Sequence, residues 1–331
     1  MHVPAPNARL RGILAPVLLL LLAAAGCSQK QTSPSALCDN EGIDLVAFSS
    51  DRGHQGQYDI YLFDANQGGY RLLRNLNSAT ASDSSPALTS DGQVIAFVSS
   101  RAAAGSDIYV YERLSCSLIA TPGLNSSGNE TDPAFTGDTK RLAFVRDTLG
   151  HRRIREVNGG SYSFLALPGL DSLAAPYDDW APSPDGSGEK LAFVSNREGS
   201  PHIYLYSRAG GSVDSLLAMR GTGGSDLEPS LTPDAHYLAF ASDRAGGRGG
   251  FDIYLYNLST RSWVGLDAVN SARDERRPSL NATGSALAFQ SDSSASGTSV
   301  VRFYQIISKA LDTITRDDAA AHDIAPSIRF P

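Results

Sequence analysis

Short apolar runs separated by polar, turn-forming residues set the pattern of this chain. VIAFVS (94–99) follows Asp91-Gly92 and KLAFVS (190–195) follows Asp185-Gly186, and each Asp-Gly pair predicts a hairpin from a short strand that opens at a proline. A third strand is predicted in DIYLF (59–63), DIYVY (107–111), HIYLY (202–206) and DIYLY (252–256), and a weaker fourth in SLIAT (117–121) and WVGL (263–266). The unit then recurs. SPALTSDGQVIAFVSSR (85–101), DPAFTGDTKRLAFVRD (132–147), APSPDGSGEKLAFVSNR (181–197), EPSLTPDAHYLAFASDR (228–244) and RPSLNATGSALAFQSDS (277–293) are near copies, with a fainter one in LVAFSSDR (45–52). The Ala-Phe pair falls at Phe48, Phe97, Phe144, Phe193, Phe240 and Phe289, at intervals of 49, 47, 49, 47 and 49 residues. A self-similar period of this length marks a repeat architecture.

Four short antiparallel strands per period, rich in Phe, Tyr, Ile and Val, describe one blade of a β-propeller. The runs are apolar on both faces, so each sheet must be covered on both sides, and neighbouring blades supply that cover. Counting the repeats predicts closure. Prolines open the first strand at Pro86, Pro133, Pro182, Pro229, Pro278 and Pro326, displaced relative to the six Ala-Phe pairs. The first Ala-Phe has no proline before it, and the proline of APSIRFP (325–331) has no Ala-Phe after it. The C-terminal strand is therefore expected to complete the first blade. The expected fold class is all-β: a six-bladed propeller over 41–331, latched by its two ends.

The repeat Pro-x-x-(Ser/Thr)-x-Asp-Gly…Ala-Phe…Ser-x-Arg…Asp-Ile-Tyr resembles that of TolB-type propeller proteins, over about 290 residues. Blade three departs most, with Val145-Arg146-Asp147 and Arg153-Ile154-Arg155 in place of Ser-x-Arg and Asp-Ile-Tyr. The resemblance implies a periplasmic, non-enzymatic binding propeller. Members of that family carry an α/β domain ahead of the propeller and bind a peptidoglycan-associated lipoprotein; here only about 14 residues separate Cys27 from the first blade, so that domain is expected to be absent.

The N-terminus changes the picture of where the chain works. Residues 1–26 have a basic start, an apolar centre and a small-residue exit, the plan of an export signal. The apolar stretch from Ile13 to Gly26 is 14 residues, short of the roughly 20 a spanning helix needs. Ala24-Ala25-Gly26-Cys27 resembles a bacterial lipobox, which implies lipidation of Cys27. Ser28, where the enterobacterial inner-membrane retention signal has aspartate, points to the outer membrane. Residues 27–40 are polar and Ser-rich, as a tether would be. Removing the signal takes two of the 28 basic groups, Arg9 and Arg11, and none of the 35 acids, leaving a net charge of −9. Nucleic acid is excluded as a natural partner, because its affinity rests on Lys and Arg neutralising phosphates. In an oxidising compartment Cys38 and Cys116 are candidates for a disulfide joining tether to propeller.

Three residues before each proline stands a carboxylate: Asp83, Glu130, Asp179, Asp226, Glu275 and Asp323. At the entry of the innermost strand, these six are expected to ring the channel mouth and to bind a basic segment or Ca²⁺, which takes six to eight oxygen ligands. The alternative is that each braces its own loop, with Arg52, Arg101, Arg197 and Arg244 on the same face. A second candidate is the basic run of blade three, Arg146, Arg152, Arg153 and Arg155, as a contact for an anionic partner such as lipid head groups, an acidic glycan or an acidic protein. No catalytic residue and no other cofactor is assigned. The favoured function is an envelope-anchored binding or scaffold propeller with a protein or peptide partner. The runner-up is a carbohydrate-active enzyme, a lyase or lactonase; lyase chemistry uses clustered histidines and a metal, whereas His54, His151, His202, His236 and His322 form no close ligand pair in the sequence and are read as solvated loop residues.

Overall fold

The computed structural model describes residues 44–329 apart from 103–104, 149, 173–174, 222, 267, 293–296 and 316–320. The segments expected to be signal and tether, with Cys27 and Cys38, lie outside the described residues. Among those described, the first blade holds β1 (Leu45–His54), β2 (Gln57–Asp64) and β3 (Gly69–Arg71). The second holds β4 (Asp83–Leu88), β5 (Val94–Ser99), β6 (Asp107–Glu112) and β7 (Ser117–Ile119), and the third β8 (Glu130–Phe135), β9 (Arg141–Thr148), β10 (His151–Asn158) and β11 (Phe164–Leu165). The fourth holds β12 (Asp179–Pro184), β13 (Lys190–Ser195), β14 (His202–Ser207) and β15 (Ser212–Asp214). The fifth holds β16 (Asp226–Leu231), β17 (Tyr237–Ser242), β18 (Asp252–Asn257) and β19 (Ser262–Val264), and the sixth β20 (Glu275–Leu280), β21 (Ala286–Asp292), β22 (Ser299–Gln305) and β23 (Ala310–Thr313). The last strand, β24 (Asp323–Arg329), pairs antiparallel with β1, so all six sheets have four strands and the ring is closed by the two ends of the chain. The expected propeller is the observed one.

The recurrence of Ala-Phe has a packing cause. Adjacent residues of a strand point to opposite faces, so Ala faces one neighbouring blade and Phe the other. Ala96 packs in one cluster with Phe144, Ala143 with Phe193, Ala192 with Phe240 and Ala239 with Phe289. A small residue on each blade thus receives the ring of the next. All six phenylalanines are fully buried, and truncating such a ring costs about 3–5 kcal/mol.

The first strands β4, β8, β12, β16, β20 and β24 each touch the first strand of the next blade, and together they surround the axis. They begin at the carboxylates, three residues earlier than expected. The residue before each proline, Ser85, Asp132, Ala181, Glu228, Arg277 or Ala325, takes a left-handed conformation with φ of 50–57°. There the pairing with the second strand slips by a bulge. Left-handed backbone costs a non-glycine residue about 1–2 kcal/mol, but it turns amides toward the preceding blade. Ser85 N donates to Ser49 Oγ (2.9 Å), Ala181 N to Asp132 Oδ2 (3.2 Å) and Arg277 N to Glu228 Oε2 (2.7 Å). Directly after the proline, serine hydroxyls continue the stitching: Ser183 Oγ accepts from Leu231 N (2.8 Å), Ser230 Oγ from Leu280 N (2.9 Å), Ser279 Oγ from Ile328 N (3.1 Å) and Ser327 Oγ from Leu88 N (3.1 Å).

Candidate functional site: the channel mouth

The six recurrent carboxylates are all buried, with 0–5% exposure, and five hold an arginine of their own blade. Arg101 Nη2 donates to Asp83 (2.8 Å), Arg146 Nε to Glu130 (2.7 Å), Arg197 Nη2 to Asp179 (2.9 Å), Arg244 Nη2 to Asp226 (2.6 Å) and Arg52 Nη2 to Asp323 (2.8 Å). Each guanidinium also lies over the aromatic rungs of its blade: Arg197 is 5.2 Å from the Phe193 centroid and 4.8 Å from that of Tyr204, and Arg244 is 5.0 Å from Phe240 and 4.5 Å from Tyr254. Glu275 instead accepts from Ser271 N (2.9 Å), Ser271 Oγ (2.6 Å) and Ser291 Oγ (3.2 Å). These acids therefore brace the blades. Among the described residues no three His, Cys, Asp or Glu side chains are grouped to hold a metal ion.

The Asp of Asp-Ile-Tyr meets the carboxylate of the following blade. Burial first, and then the neighbouring charge of Asp83, raises Asp59; burial and Glu130 raise Asp107; burial raises Glu275, with Asp252 adding to it. Burial also raises Asp179, against the opposing pull of Ser195, Arg197 and Arg153. At the fourth-to-fifth junction a base takes the aspartate's place, with His202 Nδ1 3.1 Å from Asp226 Oδ2.

The basic run of blade three does not form one patch. Arg146 is the brace of Glu130; Arg153 is buried and donates to the carbonyls of Tyr177 and Ala175; Arg155 Nη1 donates to Asp171 O (3.4 Å). Arg152 alone of the four reaches the mouth, donating to Asp178 (3.3 Å) with its guanidinium 3.9 Å from the Trp180 ring. Cys116 is buried and disulfide-bonded, and the other end of that bond lies outside the described residues. His151 sits 3.0 Å from Asp178 and His236 2.9 Å from Asp234, each with its own carboxylate rather than with another histidine.

What lines the mouth is the pair of residues between carboxylate and proline. These pairs are Ser84-Ser85, Thr131-Asp132, Trp180-Ala181, Leu227-Glu228, Arg276-Arg277 and Ile324-Ala325, and all are partly exposed. Arg277 Nε is 3.7 Å from Glu228 Oε1, and the Arg276 guanidinium lies 3.5 Å from the centroid of Phe251. Asp132 is surrounded by protein yet open to the channel interior; burial raises its pKa, opposed by the Ala181 amide and by the charges of Arg277, three blades away, and Arg152. Tyr58 is raised by burial and by Asp51, while Arg277 pulls it down. The mouth thus offers two acids, three arginines and the aromatic faces of Trp180, Phe251 and Tyr58 to whatever enters. The sequence carried a signal for this: within (Asp/Glu)-x-x-Pro the flanks hold constant while the middle reads SS, TD, WA, LE, RR and IA.

No family model matches the chain. An uncharacterized protein of Agrobacterium fabrum, Atu1656, is 26% identical over 240 residues, 67% of this chain and 77% of that protein. A TolB homolog of Chlorobium luteolum is 33% identical over 108 residues, 32% of this chain and 23% of that protein. Among solved structures, TolB from Acinetobacter baumannii superposes with a TM-score of 0.69 at 17% identity, covering 87% of this chain and 67% of that one. The likeness is one of fold, and the fold is the six-bladed propeller of TolB.

Proposed function

We propose that the protein is a binding propeller of the bacterial cell envelope, tethered through a lipid on Cys27, and that its channel mouth receives an extended polypeptide segment. The observation that carries this reading is the contrast around the axis. The six carboxylates that brace the blades recur and are hydrogen-bonded within the frame, whereas the exposed pairs between carboxylate and proline differ from blade to blade. Folds supply frames, and function resides in the variable positions grafted on them. Acids, arginines and aromatic faces within one mouth suit the mixed chemistry of a peptide better than a nucleic acid or a bare ion. The likeness to TolB, an envelope protein, the export signal and the lipobox-like Ala24-Ala25-Gly26-Cys27 support the location. Cys38 is the proposed partner of Cys116, which would fasten the tether to the second blade.

Site-specific photo-crosslinking in intact cells tests the reading. A crosslinker at Ser84, on the mouth, is expected to yield a discrete adduct that Arg276→Glu/Arg277→Glu abolishes. The same probe at Ser262, on an outer strand, is expected to yield none. Adducts from the outer position alone would overturn the assignment of the mouth. Palmitate labelling of wild type but not of Cys27→Ala is the expected result for the anchor, and equal labelling would remove it.

A further inference from the structure

The end of the propeller opposite the channel mouth carries a second feature, confined to three adjacent blades. Strands alternate in direction, so the third and fourth strands of each blade turn into one another at this lower end. The turns run from Asp64 to Gly69 in blade one, from Glu112 to Ser117 in blade two and from Gln305 to Ala310 in blade six. Leu45 of β1 pairs with Arg329 of β24 at the same end, so the chain enters blade one from below. Blade one lies between blades six and two, with β24 packed on both β20 and β4.

Four large apolar side chains among the described residues are more than half exposed: Leu72 (59%), Leu114 (64%), Leu217 (68%) and Ile307 (87%). Three of them lie on blades one, two and six. Leu72 follows β3 on the outer edge, and Leu114 and Ile307 stand at the tips of lower hairpins. The hairpins of the far blades present Gly159-Gly160-Ser161, Ala209-Gly210 and Ser259-Thr260 instead. Tyr70, Phe164 and Trp263 differ in kind, since each lies against the brace arginine of its own blade, at 5.2, 4.9 and 5.1 Å. The tips 65–68, 113–116 and 306–309 hold no acid. Glu112, at the foot of the blade-two hairpin, is engaged by Ser115 Oγ (2.6 Å).

Two residues from Leu114 stands Cys116, buried and disulfide-bonded. With Cys38 as its proposed partner, the chain from Cys27 to Cys38 spans at most about 40 Å when fully extended. A lipid on Cys27 is thereby held to the hairpin that presents Leu114.

We propose, building on the lipid anchor at Cys27, that the lower rim of blades six, one and two rests on the membrane surface. Leu114 and Ile307 dip into the interfacial layer, and the channel mouth is turned away from the bilayer. Two protruding tips separated by a polar hairpin suit a deformable headgroup layer, whereas a protein interface needs a continuous apolar centre. The tether keeps a bilayer within reach of this rim.

Tryptophan quenching by brominated phosphatidylcholine tests the contact. The mature chain is attached to vesicles through hexahistidine ahead of Ser28 and a nickel-chelating lipid. The outcome then does not depend on acylation of Cys27, which palmitate labelling decides separately. In a Trp180→Phe/Trp263→Phe background, Leu114→Trp and Ile307→Trp are expected to be quenched relative to unbrominated vesicles. Thr260→Trp, on the equivalent hairpin of blade five, is expected to be unaffected, as is Trp180 at the mouth when observed in Trp263→Phe. Adding Ile307→Asp to the Leu114→Trp reporter should lower the ratio of docked to undocked rim about ten-fold or more, the worth of one buried aliphatic side chain. Equal quenching at Thr260→Trp, quenching of Trp180, or none at either rim position would overturn the proposal. So would a dimer in which Ile307→Trp emission is already shifted to the blue without vesicles, because the rim would then be a contact between copies of the chain.

Discussion

Replacing Arg197 by methionine isolates the brace that recurs around the ring. Arg197 donates Nη2 to Asp179 (2.9 Å) and Nε to Ser195 Oγ (2.9 Å), and lies over Phe193, Tyr204 and Tyr177. Methionine keeps much of the apolar contact but leaves the carboxylate of Asp179 buried beside Ser195 without its ion-pair partner, the charge of Arg153 being the weaker pull that remains. Removing one partner of a buried pair costs about 3–5 kcal/mol, against about 0–1 kcal/mol for an exposed pair such as Lys140–Asp138. The cost must depend on pH. Asp179 already titrates above the ordinary carboxylate value because burial outweighs its partners, and loss of Arg197 raises it further. A carboxyl whose folded pKa is raised contributes stability fully below its unfolded pKa of about 3.9, and that contribution is lost as pH rises through the folded pKa. Urea unfolding is therefore expected to show the full deficit of Arg197→Met at pH 8 and a much smaller one near pH 4. Adding Asp179→Asn should recover most of the loss at pH 8. A deficit below 1 kcal/mol, or one that is the same at both pH values, would refute the reasoning.

Asp252→Asn places an amide where Asp252 Oδ1 is buried without a partner, beside Glu275. It is expected to stabilise the fold by about 1 kcal/mol at pH 8, and the gain should vanish near pH 4, where the raised Glu275 is protonated in the wild type too; chemical denaturation across this range checks it. Deleting 322–331 removes β24 and leaves the edge of β1 unpaired, so calorimetry should show loss of the cooperative transition or aggregation. Ala181→Gly relieves a left-handed alanine (φ 50°) and should raise stability by about 0.5–1 kcal/mol in urea unfolding.

The propeller was legible in the sequence because its determinants are local and repeated. Asp-Gly turns, Ala-Phe alternation and the offset between prolines and Ala-Phe pairs give strand order, blade number and the ring-closing strand without any long-range information. The candidate site was legible only in outline. Asp83, Glu130, Asp179, Asp226, Glu275 and Asp323 were located at the right end of the right strand, yet five of them turn to arginines of their own blade. The run Arg146, Arg152, Arg153, Arg155 was one cluster in sequence and four destinations in space. Side-chain direction is set at each left-handed bulge, and composition cannot show which way a bulge aims its neighbours.

Sequence alone thus determined the frame, because periodic burial between identical neighbours leaves a chain few ways to pack. Tertiary structure decided which charges face solvent. Asp59, Asp107 and Asp252 meet carboxylates that lie some 23–24 residues onward in the chain but on the next blade, and Arg277 acts on Asp132 from three blades away. Coulomb interactions depend on separation in space and on the burial of the path between charges, and only closure of the ring fixes both.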